Sequence, residues 1–198
     1  MKTIQKIGTI VATLVTLVVS SVNAQDWQTL TGVYNVNHDA TALRFQRGTD
    51  NTYGFLDLFG NKHGDLETMY GEFRVKKNLG KGFSMGLEYN GGTGLDDLIR
   101  PQVGYSGNLG HVFIDAKFSP TESTRSQGQQ LGVYASTNIA GIGIEGWADF
   151  DYIDGKVTPM GEIEASKEVS DGLSAVVRAE KFPWQESTSY SIGVKINF

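Results

Sequence analysis

The sequence predicts an all-β protein, a closed antiparallel transmembrane β-barrel of about twelve strands, and three observations lead there. Apolar and polar residues alternate with a period of two. In Ser189-Tyr190-Ser191-Ile192-Gly193-Val194-Lys195-Ile196-Asn197-Phe198, Tyr190, Ile192, Val194, Ile196 and Phe198 share one face, and the polar residues and Gly193 fill the other. Turn signals recur at Asn78-Leu79-Gly80-Lys81-Gly82, Asn108-Leu109-Gly110, Asn138-Ile139-Ala140-Gly141 and Val169-Ser170-Asp171-Gly172, so that Leu79, Leu109, Ile139 and Val169 lie about 30 residues apart. The segments between them alternate rather than showing helical spacing, so the repeating unit is a hairpin. Its roughly 15 residues per strand and turn suit a tilted membrane strand of about 9 to 11 residues.

The chain has 198 residues. Met1 to Ala24 opens with Lys2 and Lys6, continues through an apolar run from Ile7 to Val19 and ends on small residues, Val22-Asn23-Ala24. This is the pattern of a secretory signal cleaved before Gln25. The run is too short to cross ~30 Å of hydrocarbon as a retained helical anchor. Residues 25–198 then form one domain. Cysteine is absent, so an exported chain of this size relies on its core or on closed strand pairing rather than on disulfides. The net charge is −5 and becomes more negative once Lys2 and Lys6 leave, which argues against a nucleic-acid partner. Twenty-five glycines against four prolines favour strands and tight turns.

Taken in order, strands are expected near Thr29 to Asn37, Thr41 to Arg47, Thr52 to Gly60, Leu66 to Lys77, Gly82 to Gly91, Leu98 to Ser106, Gly110 to Ser119, Gln129 to Thr137, Gly141 to Tyr152, Val157 to Ser166, Gly172 to Phe182 and Thr188 to Phe198. An even count puts both termini on one side, expected to be periplasmic, with the tight turns. The connections on the outer side are all short, which argues against lids, plugs and adhesion loops. Pro101 and Pro159 fall inside two expected strands and each removes a ladder donor, so bulges or displaced strand ends are expected there. The aromatic ending resembles the C-terminal signal by which outer-membrane proteins are recognised for barrel assembly. It implies the outer membrane of a Gram-negative bacterium, with lipids and the assembly machinery as partners.

Charge placement decides which face meets lipid, because a lipocalin-like soluble barrel alternates too. One phase, including Phe73, Val75, Met85, Leu87, Val103, Ile114, Leu131, Ile144, Ile163 and Val177, is read as free of charge. A basic residue at the bilayer midplane costs about 2–4 kcal/mol, so this phase is the lipid-facing one. Tyr89, Tyr105, Phe118, Phe150 and Tyr190 are its expected interfacial aromatics. The other phase carries Glu72, Arg74, Glu88, Arg100, Asp115, Lys117, Glu145, Asp149, Asp151, Glu162, Glu164, Arg178, Glu180 and Lys195, and is expected to line a wet interior together with Tyr53, Phe55, Phe59, Tyr70, Phe113, Tyr134 and Trp147.

Twelve strands enclose a lumen wider than an eight-stranded barrel and narrower than a general porin. Opposed charges and aromatic faces there make a slim, solute-selective pore, or else a network that only braces the wall. Tyr53-Gly54-Phe55-Leu56-Asp57-Leu58, Met69-Tyr70-Gly71-Glu72, Gly86-Leu87-Glu88-Tyr89-Asn90-Gly91-Gly92 and Gly146-Trp147-Ala148-Asp149-Phe150 resemble, in order and spacing, the Tsx-like nucleoside-channel superfamily and especially its shorter relatives. The resemblance implies a monomeric outer-membrane barrel with a narrow lumen for nucleosides, lined at Phe55, Asp57, Tyr70, Glu72, Glu88, Asn90, Trp147 and Asp149. Arg74, Arg100, Asp115, Glu162 and Arg178 join them from the charged phase.

Two other classes compete. A structural or adhesion barrel with an occluded lumen needs the long outer loops that this chain lacks. A lipid-modifying enzyme needs a base, for which only His38, His63 and His111 are available, the first two in outer connections near Asp39 and Asp65. No catalytic set is expected. No cofactor or metal is expected either, since metal-ligand spacing is absent and Asp96-Asp97 reads as solvated charge.

Overall fold

The computed structural model describes residues 27–61, 63, 65–94, 97–120, 128–153 and 155–198. The expected signal segment, Asp96 and most of the connection after Pro120 lie outside the described residues. Twelve strands follow one another: β1 (Trp27–Asn35), β2 (Ala40–Gly48), β3 (Thr52–Gly60), β4 (Leu66–Gly80), β5 (Phe83–Gly92), β6 (Leu98–Leu109), β7 (Val112–Ser119), β8 (Gln129–Ile139), β9 (Ile142–Ile153), β10 (Lys156–Ser170), β11 (Leu173–Lys181) and β12 (Ser189–Asn197). Each pairs antiparallel with its neighbour in the chain, and β12 returns to β1 to close the barrel. Closure satisfies the backbone polar groups without an edge, which hydrocarbon demands.

The tight turns form for a local reason. Lys81-Gly82 and Ala140-Gly141 both have φ between 51° and 83°, the paired left-handed geometry that lets a two-residue loop follow the strand twist. Asn138 Oδ1 accepts from Gly141 N at 3.1 Å and fastens the second of these turns. The two 15-residue strands, β4 and β10, run past their expected ends at Lys77 and Ser166. Register shifts at Asn78/Gly80 and Glu168/Ser170 absorb the extra residues.

The expectation at the prolines is corrected. Pro101 pairs with Leu87 and Pro159 with Phe150 in unbroken register, with no bulge at either. Ser106 N donates to Gly82 O at 2.8 Å, so alternate residues of β6 turn their backbone polar groups toward β5 and the rest, Pro101 among them, toward β7. The β6–β7 ladder begins only at Val103, so the donor that Pro101 lacks falls beyond its end. Pro159 stands in the same relation to β11, whose ladder with β10 begins at Gly161.

The polarity of the wall follows the alternation. Leu87, Val103, Ile163 and Val177 are each more than half exposed on the outer surface, and Tyr89, Tyr105, Phe118, Phe150 and Tyr190 are exposed with them. Glu88, beside Leu87 in sequence, is 0% exposed. An apolar exterior around a charged interior inverts the layout of a soluble barrel and fits a lipid environment. Freedom from charge on the outer phase needs one correction. Cross-strand pairing places Lys77 beside Met85, Lys167 beside Ala175 and Lys181 beside Gly161, all in the outward phase. They sit at strand ends, where a long lysine stem reaches the headgroups.

Candidate functional site: the barrel lumen

Alternation alone delivers charged side chains from every part of the wall to the interior, where they form two groups of ion pairs. In the first, Arg44 of β2 holds Asp57 of β3 through two parallel bonds, Nε to Oδ1 at 2.7 Å and Nη2 to Oδ2 at 2.8 Å. Its Nη1 reaches Glu162 of β10 at 2.6 Å. Arg178 of β11 contacts Glu162 at 3.3 Å and Glu164 at 2.7 Å. Lys195 of β12 pairs with both Glu164 and Glu145, and Tyr134 Oη donates to Glu145 at 2.9 Å.

The second group centres on Glu88 of β5. Lys117 of β7 reaches it at 2.5 Å and Glu72 of β4 at 3.5 Å. Arg74 lies 3.5–3.6 Å from Glu72, Glu88 and Asp115, while Arg100 stands 4.0 Å from Glu88. Lys76 contacts Asp115 at 3.3 Å. Lys117 and Asp149 both lean over Gly132 of β8, where a Cβ would stand 2.5 Å from an atom of each. A larger side chain there would push the two apart.

Arg44, Glu88, Arg100, Lys117, Glu164 and Arg178 are 0–8% exposed. Ions so placed are satisfied by one another rather than by a water column beside them. The lumen is therefore constricted by side chains where these groups meet.

A ladder of rings runs along one side of this constriction. Ring centroids step from Trp27 to Tyr53 at 6.0 Å, to Phe55 at 6.1 Å and to Tyr70 at 5.6 Å. The Arg44 guanidinium lies 5.4 Å above Phe55 and that of Arg74 5.6 Å above Tyr53, cation–π distances that hold both ends of the ladder's centre.

All thirteen lumen residues singled out from the sequence face inward. Asp57, Glu72, Arg74, Glu88, Arg100, Asp115, Glu162 and Arg178 belong to the ion pairs, and Phe55 and Tyr70 to the ring ladder. Asn90 donates to Glu88 at 3.5 Å, Asp149 neighbours Lys117, and Trp147 stands apart, against Phe182 at 5.9 Å. Sequence reasoning passed over Arg44 and Trp27. The alternation Leu43-Arg44-Phe45 was signal enough for the first, whereas Trp27 precedes the expected start of its strand.

The three imidazoles lie in exposed connections, His38 and His63 at one end of the barrel and His111 at the other. Among the described residues no cluster of three or more His, Asp or Glu side chains is arranged to hold a metal ion.

No protein-family model and no curated protein matches the sequence. Among solved structures the chain is similar to the KdgM porin, with 12% identity over 87% of this chain and 99% of that one and a TM-score of 0.57. It is similar to outer membrane phospholipase A from Escherichia coli, with 9% identity, 86% and 89% coverage and a TM-score of 0.58. It is also similar to the NanC porin, with 11% identity, 85% and 98% coverage and a TM-score of 0.55. At such identities the likeness is one of fold. Together with the apolar outer wall, it identifies the chain as a twelve-stranded β-barrel of the Gram-negative outer membrane.

Proposed function

We propose that the barrel is a passive channel for small solutes, narrow and constricted by its own ion pairs. The observation that carries this reading is the continuous polar interior with a ring ladder along one side. Named pair by pair, the lumen holds more acids than bases. Asp57, Glu72, Glu88, Asp115, Glu145, Asp149, Glu162 and Glu164 face Arg44, Arg74, Lys76, Arg100, Lys117, Arg178 and Lys195, and Asp151 and Glu180 add to the acidic side. Such an interior favours cations and neutral solutes over anions. One solved neighbour is a KdgM porin in complex with oligogalacturonate, an acidic chain of sugars. The carboxylate excess of this lumen disfavours a solute of that charge. Neutral solutes with a flat ring suit the ladder better, and the nucleoside-channel resemblance makes nucleosides the leading class. Lipids on the wall, the assembly machinery during insertion and a monomeric state belong to the same reading.

Planar bilayers with the purified barrel test this. Small, cation-selective single-channel currents reduced by adenosine are expected, and Trp147→Ala, facing inward, should weaken the block more than Phe150→Ala, facing lipid. Anion-selective currents would overturn the electrostatic argument. The burial of the central charges favours a second reading, a barrel whose lumen stays shut. Its signature is a folded, heat-modifiable protein that passes no current. A phospholipase shares this barrel, so lipid hydrolysis by the same preparation is the control for an enzyme.

A further inference from the structure

After β11 the chain turns through Phe182-Pro183-Trp184-Gln185, and Gln185 fastens the turn at several points. Its backbone N donates to Phe182 O at 3.0 Å and its Oε1 accepts from Phe182 N at 2.8 Å. Its Nε2 donates to Ser189 Oγ at 3.0 Å, and its carbonyl accepts from Lys181 Nζ at 2.5 Å. Pro183 fixes φ between the two rings. The result is an indole held in place yet left open. Trp184 is 75% exposed, more than any other large hydrophobic side chain described, while its ring lies parallel to that of Phe182 at 4.9 Å and 6°.

The position of this stack separates it from a membrane anchor. Along β11 the outward residues are Ala175, Val177 and Ala179, and the inward ones are Ser174, Val176, Arg178 and Glu180. Phe182 continues the inward series. Its ring stands 5.9 Å from Trp147, which points into the lumen from β9. Trp184, Phe182 and Trp147 therefore form a line from the mouth opposite the strand ends at Trp27 and Asn197, the one expected to face outward, into the lumen, apart from the ladder from Trp27 to Tyr70.

An exposed indole face set by a hydrogen-bonded turn loses little freedom when a flat ring covers it, which is the condition for gaining affinity from apolar area. We propose that the Phe182–Trp184 stack is a docking platform at the outer mouth for a neutral solute with a flat ring, which stacks on the free face of Trp184 and passes inward along Trp147. A nucleobase presents such a flat face, and a pyranose chair, though puckered, presents a broad apolar C–H face that covers an indole in the same way. Passage inward rests on the channel reading, whereas docking does not.

The test is a ligand-observed NMR titration of the full barrel in detergent micelles, with adenosine in one arm and maltotriose in the other. Binding of at least one is expected. Trp184→Ala should weaken it about tenfold, as loss of one stacking partner does, while Trp184→Phe should keep most of it. Heat-modifiable migration of each variant verifies folding. A response to adenosine alone assigns a base-bearing solute, and to maltotriose alone a sugar. Binding of neither, or binding that Trp184→Ala leaves unchanged, overturns the platform. If Trp184-dependent binding persists in a barrel that carries no current, the platform stands and the channel reading fails.

Discussion

Glu88 has the most demanding surroundings of any single residue in the barrel. It is fully buried, with Lys117 at 2.5 Å, Arg74 at 3.6 Å and Arg100 at 4.0 Å. Removing its charge would leave Arg74 and Lys117 sharing Glu72 and Asp115 and would take from Arg100 the carboxylate at 4.0 Å, and an uncompensated buried charge costs about 3 kcal/mol or more. Glu88→Gln is therefore expected to lower stability by about 3 kcal/mol in urea unfolding from vesicles. The same substitution should also move the reversal potential of any current toward anions. Leu87→Ala, one residue away, trims a side chain that faces lipid in the folded barrel and should do neither. The sequence displayed this contrast, because Leu87 and Glu88 are neighbours in an alternating run. It did not display who pairs with whom, since the partners of Glu88 lie on other strands and a period of two says nothing about reach across a lumen.

Strands and turns were the most legible level. All twelve strands occur in the order and close to the places that alternation and turn residues give, with ends displaced by a few residues, because each signal is local: Asn138-Ile139-Ala140-Gly141 both ends a strand and supplies the left-handed pair that its turn needs. The prolines misled because a ladder position cannot be told from its neighbour by sequence. Whether Pro101 points toward β5 or β7 depends on pairing parity, and only the register answers that. Glycines inside strands carry information of the same kind. Gly193 lies opposite Val33 where β12 meets β1, and a Cβ there would stand 2.0 Å from Gly32 O and 2.8 Å from Val33 Cα. Gly193→Val is expected to keep these two strands from pairing. On a gel run without boiling, most of that variant should migrate at the unfolded position, whereas wild-type protein should run in the fast, heat-modifiable form.

For the whole molecule, one choice of polarity set everything, and the charged phase already implied it. The sequence could not tell whether the interior holds water or side chains, because that depends on how far each arginine and lysine extends. The structure answers with ion pairs that span strands not adjacent in the wall. Arg44 on β2 grips Glu162 on β10, and the four neighbouring boundaries between them include the one where the last strand meets the first. This contact thus works as a clasp drawn across the zip of the cylinder. It cannot fasten until the two ends of the sheet have come together, and once fastened it resists their parting. Arg44→Met should accordingly unfold several-fold faster while its hairpins still form. Late latching by a guanidinium also means that the nascent sheet keeps these ions hydrated until the moment of closing, so dehydration of the interior and sealing of the wall become one event.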